Sequence, residues 1–154
     1  MYNKNGIGLL KTAYLNAVKS GYLLPIKLVR GAYLEKENLR AKQKGYNSPL
    51  FISKNETDRA FNTAIQFCID HIEKISLCLA THNELSCHIL LCIMKAHLIP
   101  KNHTHIYFSQ LYGMSDNISF KLSQERYNVV KYIPFGSIEK VIPYLIRRAQ
   151  ENSS

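Results

Sequence analysis

Apolar positions along the chain alternate between two periods. Leu9, Leu10, Ala13, Tyr14 and Ala17 recur at helical spacing and predict a helix over Gly8 to Lys19. A short β-rich stretch follows, "PIKLVRG", from Pro25 to Gly31. Glu35 to Lys44 reads as a polar helix stopped by Gly45, and "YNSPLFISKN" as a loop. Phe61, Ala64, Ile65, Cys68 and Ile72 form one stripe of a helix from about Glu56 to Glu73. A second strand is predicted over Ile75 to Thr81, then a helix over Glu84 to Ala96. His105 to Ser109 and Val129 to Ile133 supply two more strands. They are separated by a short helix over Asp116 to Gln124 and followed by a closing helix over Ser137 to Glu151.

Short apolar strands separated by helices imply that each strand-to-strand connection is a crossover. The predicted fold is therefore α/β, a parallel sheet with helices on its outside. Chemically capable residues gather just after the strands: Arg30 and Tyr33, Thr81 and His82, Gln110, and Tyr132. A (β/α)8 barrel builds its active site in this position, but needs twice as many strands and about 250 residues. The expectation is the second half of such a barrel, residues 1–154 forming part of a larger catalytic domain.

Composition narrows the classes. The net charge is +9, from twenty Lys and Arg against eleven Asp and Glu. The basic residues are dispersed, with no basic run of five and no nucleic-acid module, so nucleic acid is not the expected partner. No apolar run reaches transmembrane length, and "MYNKNGIGLL" lacks the features of a signal peptide. Cys68, Cys78, Cys87 and Cys92 lie among apolar residues and read as buried thiols in a reducing compartment. Zinc would need His82, Cys87, His88 and Cys92 to converge, which no CxxC or HxxxH spacing supports. His97, His103 and His105 read as solvated loop residues.

Three stretches invite chemistry. In the closing helix Ile138, Val141, Ile142, Leu145 and Ala149 form the expected core stripe, with Tyr144, Arg148 and Glu151 along its edge. Arg147 and Arg148 then serve either as local ion-pair partners of Glu151 or as a clamp for a small anion. Pro143 implies a kink or a late helix start. Thr81 and His82, ahead of a helix start, offer donors to a phosphate or a heteroaromatic ring, or a purely structural hydrogen bond. Lys27 shares one side of its strand with Val29 and Gly31, where it meets either an electron-rich cofactor or a carboxylate from outside this chain.

Six ordered motifs, "KLVRGAYLEKE", "GYNSPLF", "ATHNE", "IYFSQLYGMSDNISF", "KYIPFG" and "VIPYLIRRAQENSS", resemble proline dehydrogenase. The resemblance covers nearly everything from Pro25 to Ser154. It implies a distorted (β/α)8 barrel and FAD-dependent oxidation of L-proline to Δ1-pyrroline-5-carboxylate. Arg147 and Arg148 are then expected to hold the proline carboxylate. Tyr132, Tyr144 and Leu111 wall the ring, with Tyr33 near the mouth. Val29, Arg30, Gly31, Thr81 and His82 contact the flavin, and Glu151 steadies the arginines or the cofactor. Lys27 stands near flavin N5, where many bacterial members have arginine. The implied electron acceptor is a quinone or another membrane acceptor, reached by peripheral association. Bacterial relatives work in the cytoplasm, often at the inner membrane, and eukaryotic ones at the mitochondrial inner membrane.

The sequence departs from the family pattern in places. The first barrel half, with its active-site lysine and aspartate, has no counterpart, nor has the glutamine that precedes "MY" in similar proteins. Leu34 replaces a tryptophan and Phe61 a tyrosine of some members. The chain alone is therefore expected to be incompetent. A hydroxyproline dehydrogenase and a non-catalytic basic domain for phosphate or nucleic acid are the alternatives.

Overall fold

The computed structural model describes residues 1–31 and 33–152, with side chains described as far as Ala149. Helix α1 (Gly6–Ser20) leads into β1 (Leu24–Leu28), followed by α2 (Leu34–Lys44) and α3 (Lys54–Asp70). Then β2 (Ile75–Ala80), α4 (Glu84–Ala96), β3 (Ile106–Leu111), α5 (Asp116–Gln124), β4 (Val129–Tyr132) and α6 (Ile138–Asn152) alternate. The strands pair in chain order, β1-β2-β3-β4, and every pair is parallel. This is the partial (β/α)8 barrel that the alternation of periods predicts.

Local signals place the helix ends. Ser53 accepts from the Glu56 amide while the Glu56 carboxylate accepts from the Ser53 amide, a reciprocal cap that starts α3 ahead of the predicted Glu56. Asn83 accepts from the Ser86 amide and starts α4 directly beyond β2. α2 ends at Gly45, whose left-handed φ of 68° suits a residue without Cβ.

β2 buries every second residue, β3 is buried everywhere but Tyr107, and β4 has no buried residue. Leu28, Ile75, Leu77, Leu79, Ile106 and Phe108 meet Phe61, Ala64, Ile65 and Cys68 of α3, Leu90 and Met94 of α4, and Ile118 and Leu122 of α5. The opposite side follows from the register, which aligns Lys27 with Cys78 and Tyr107, Ala80 with Ser109 and Val130, and Leu111 with Tyr132. Among these, Lys27, Tyr107, Val130 and Tyr132 are exposed. A parallel sheet ordinarily has both faces covered. Here helices cover one face, and the other carries the side chains that would line a barrel interior.

Several expectations are corrected. β1 stops at Leu28, so Val29, Arg30 and Gly31 belong to the loop at its C-terminal end. β3 continues to Leu111, which places Gln110 inside the strand and 1% exposed. The stripe of α6 is not core, because Ile138, Ile142 and Leu145 are exposed. Among the described residues α6 lacks the extensive packing against the sheet that covers the stripe of α3. It starts at Ile138 and runs through Pro143, so the start is not delayed. Cys92 is exposed, whereas burial pushes the Cys68 thiol up to about 12 and the Cys87 thiol up to about 11. His103 is half-buried and structural: its ring accepts from the His105 amide and its carbonyl from Asn128.

Candidate active site

The C-terminal ends of the strands surround a cavity of about 740 Å³. Four side chains cross it in series. Lys27 projects from β1, and its Nζ lies 4.6 Å from the Tyr132 ring centroid. Tyr132, at the end of β4, meets Tyr144 of α6 edge-on, with centroids 6.5 Å apart at 73°. The Arg148 guanidinium then lies 5.3 Å from the Tyr144 ring. Two cations thus bracket two electron-rich rings, an arrangement that is attractive at each contact. Tyr144 and Arg148 are four residues apart and share one helix face, which explains why α6 presents both.

Leu111 is buried beside this series, aligned with Tyr132 in the β3–β4 register. Val29, Gly31 and Tyr33 line the β1 side of the cavity. Gly31 has φ 105°, and a Cβ there would meet the Tyr2 ring at 1.8 Å. Only a residue without a side chain lets the N-terminal segment pass so close to the loop.

Thr81 and His82 line the β2 side. The His82 Nδ1 is 2.8 Å from Ser115 Oγ, which ties the end of β2 to the turn after β3. Burial, reinforced by Lys131 and Arg148, holds the His82 pKa below its ordinary 6.5. Folding therefore favours the neutral imidazole, so the unfolded chain binds more protons in the window below 6.5. The contribution of His82 to stability is full above that pH and is lost as pH falls through the depressed value. Urea unfolding at a series of pH values should show a stability loss below pH 6.5 that is smaller in His82→Gln. Parallel wild-type and variant profiles would contradict it.

The turn after β3 is pinned again by Lys131, whose Nζ donates to the Met114 carbonyl at 2.9 Å and to Asp116 at 2.6 Å. Buried Gln110 donates to the Thr81 carbonyl and accepts from Ser119. These bonds join the ends of β2 and β3 below the cavity.

The structure thus brings together Lys27, Val29, Arg30, Gly31, Tyr33, Thr81, His82, Leu111, Tyr132, Tyr144 and Arg148. Arg147 is exposed and lies off the lining. The side chain of Glu151 falls outside the described residues. Sequence reasoning missed Tyr2, Lys54, Asn83 and Ser109, which also line the cavity. Asn83 was legible in principle, as an N-cap two residues after an apolar strand. Lys54 and Tyr2 reach the cavity only through the path of the chain. Among the described residues no group of His, Cys, Asp and Glu is arranged to hold a metal ion.

Four parallel βα units with a cavity of mixed polar and apolar lining at their strand C-termini define part of a (β/α)8-barrel ligand site. The family model for proline dehydrogenase matches residues 1–154, and the chain belongs to that family. It is 36% identical to proline dehydrogenase 1, mitochondrial, of Dictyostelium discoideum, over 99% of this chain and 28% of that protein. It is 41% identical to the human protein of the same name, over 94% of this chain and 26% of that one. A hydroxyproline dehydrogenase of Xenopus laevis is 39% identical, over 99% of this chain and 34% of the relative. The chain therefore spans about a third or less of these relatives. Among solved structures, proline utilization A from Bdellovibrio bacteriovorus superposes with a TM-score of 0.93 at 28% identity. That match covers 99% of this chain and 16% of the larger one.

Proposed function

We propose that residues 1–154 form the substrate-binding half of a proline dehydrogenase, which oxidises L-proline to Δ1-pyrroline-5-carboxylate with FAD. The observation that carries this reading is the series Lys27–Tyr132–Tyr144–Arg148 across the mouth of the half-barrel. A cation at one end and ring walls in the middle suit a small cyclic amino acid, whose carboxylate needs charge and whose ring needs apolar cover.

The residues present suit a flavin. Thr81 offers a hydroxyl at the cavity wall, and Lys27 a positive charge on the interior face. FAD, when bound, supplies the two-electron acceptor for the hydride from the carbon next to the ring nitrogen. The chain itself orients and shields. Arg148 holds the carboxylate with directional hydrogen bonds, with Arg147 as the second arginine of the pair and Glu151 steadying them. Tyr132, Tyr144 and Leu111 close around the ring and exclude water, with Tyr33 at the mouth. Val29, Gly31, Thr81 and His82 form the cofactor wall, and His82, held neutral, adds no further positive charge there. Lys27 favours negative charge nearby, as a point charge rather than a planar fork.

The exposure of Lys27, Tyr107, Val130 and Tyr132 on one sheet face, and outer sides of β1 and β4 that pair with no strand among the described residues, support a shared site, completed by further βα units outside these residues. Among the described residues no helix is long and apolar enough to cross a membrane. Electrons would pass to a quinone or another membrane acceptor by peripheral association. Location at the mitochondrial inner membrane in a eukaryote, or in the cytoplasm at the inner membrane in a bacterium, follows from the same reading. Similarity to hydroxyproline dehydrogenase at 39% identity keeps hydroxyproline as the second substrate to test.

The test is direct. The full natural polypeptide that carries this segment should purify yellow and reduce a dye with L-proline faster than with hydroxyproline. Isolated residues 1–154 should do neither. A colourless full polypeptide would end the flavoenzyme reading, and stoichiometric FAD with proline turnover in the isolated segment would end the shared site.

A further inference from the structure

The Arg30 guanidinium lines the cavity and commits three of its five N–H groups within the chain. Its Nε donates to Asp58 at 2.7 Å, one terminal nitrogen to Thr81 Oγ1 at 2.9 Å, and the other to Ser86 Oγ at 2.7 Å. Its Cζ lies 4.1 Å from the ring centroid of buried Phe61. One side chain after β1 thus grips α3 through Asp58 and Phe61, the end of β2 through Thr81, and α4 through Ser86. Ser86 Oγ donates its own hydrogen bond to Asn62 Oδ1 at 3.2 Å, so that branch is complete.

Thr81 is different. Its Oγ1 accepts from Arg30 and, at 3.1 Å, from the Asn83 amide. A hydroxyl has two lone pairs and one proton. Both lone pairs are engaged, and among the described residues the proton has no acceptor. Thr81 is 8% exposed and lines the cavity, so its O–H is left to whatever occupies that space.

We infer that Arg30 is a positioning residue that acts through Thr81. By filling a lone pair, it turns the Thr81 hydroxyl into an obligate donor aimed at an acceptor oxygen or nitrogen of the bound flavin. The inference rests on the flavin reading above and assigns polarity within it. A lysine would not substitute, since a single ammonium cannot hold three partners in the fixed directions of the guanidinium fork.

The experiment uses the full natural polypeptide, stripped of flavin and titrated with FAD by fluorescence quenching. Thr81→Val should weaken FAD binding by about tenfold, whereas Thr81→Ser, which keeps the donor, should bind within about twofold of wild type. Arg30→Met should weaken binding by about the same factor as Thr81→Val, and the double variant no further. The KM for proline should stay unchanged in Thr81→Val, which a general loosening of the site would not allow. Equal losses in Thr81→Ser and Thr81→Val would assign the effect to packing and overturn the inference, as would multiplied losses in the double variant. If Arg30→Met does not fold, the two Thr81 variants decide alone. Wild type that binds no FAD would overturn the flavin reading and this one with it. Wild type that binds FAD as tightly as Thr81→Val would overturn this one only.

Discussion

Replacing Arg148 by Met in the full natural polypeptide is expected to raise the KM for proline about 100-fold while leaving FAD bound. A factor of 100 corresponds to about 2.7 kcal/mol, the range for losing charge-assisted hydrogen bonds to a carboxylate. Several features make the position sensitive. Arg148 is half-buried against the Tyr144 ring, within the electrostatic reach of His82. Methionine keeps the stem and the ring contact but removes the charge, so the walls of the pocket persist without their anion holder. Arg147→Met is expected to cost less, since Arg147 is exposed on α6 and off the cavity lining. Steady-state kinetics and the ratio of flavin to protein absorbance measure both effects. Proline kinetics unchanged in Arg148→Met would return the arginine to a surface role.

Phe61→Ala is expected to be the most destabilising single change, at about 3–5 kcal/mol of unfolding free energy. Phe61 is fully buried in α3, among the residues that pack on the covered face of the sheet. Truncation leaves a cavity beneath β1 and β2 and also removes the platform under the Arg30 guanidinium. Loss of stability and loss of flavin should therefore appear together. Phe61→Leu separates the two: it retains most of the core volume but not the aromatic face, so the stability loss should be much smaller. Urea denaturation with flavin release followed in parallel provides the measurement. An alanine variant unfolding within 1 kcal/mol of wild type would refute the role given to this ring.

Much of the fold was legible because its signals are local. Asp116–Gln124 and Glu84–Ala96 have the predicted bounds, each opening with an acid in the first turn and closing with a lysine in the last. Parallel pairing followed from the alternation of short apolar strands with helices. The strand ends were less legible. "KLVRG" is apolar enough to read as strand through Gly31, yet pairing with β2 ends at Leu28. "FSQL" looks polar at Gln110, yet β3 runs through it because Ser119 and the Thr81 carbonyl satisfy the buried amide. An apolar stripe likewise reports only that a helix has an apolar side. The stripes of α3 and α6 look alike in sequence, but one is buried and the other exposed.

The sequence by itself determined the order of elements, the parallel sheet and the residue types gathered at strand ends, since these rest on periodicity, caps and composition. Only the tertiary structure decided how those residues divide their work. Asp58, Thr81 and Ser86 lie 28, 51 and 56 residues from Arg30, and three separate elements had to pack before one guanidinium could reach them all. Arg147 and Arg148 are neighbours in the chain, but the rotation of about 100° per helical residue turns one toward Tyr144 and the cavity and the other to solvent.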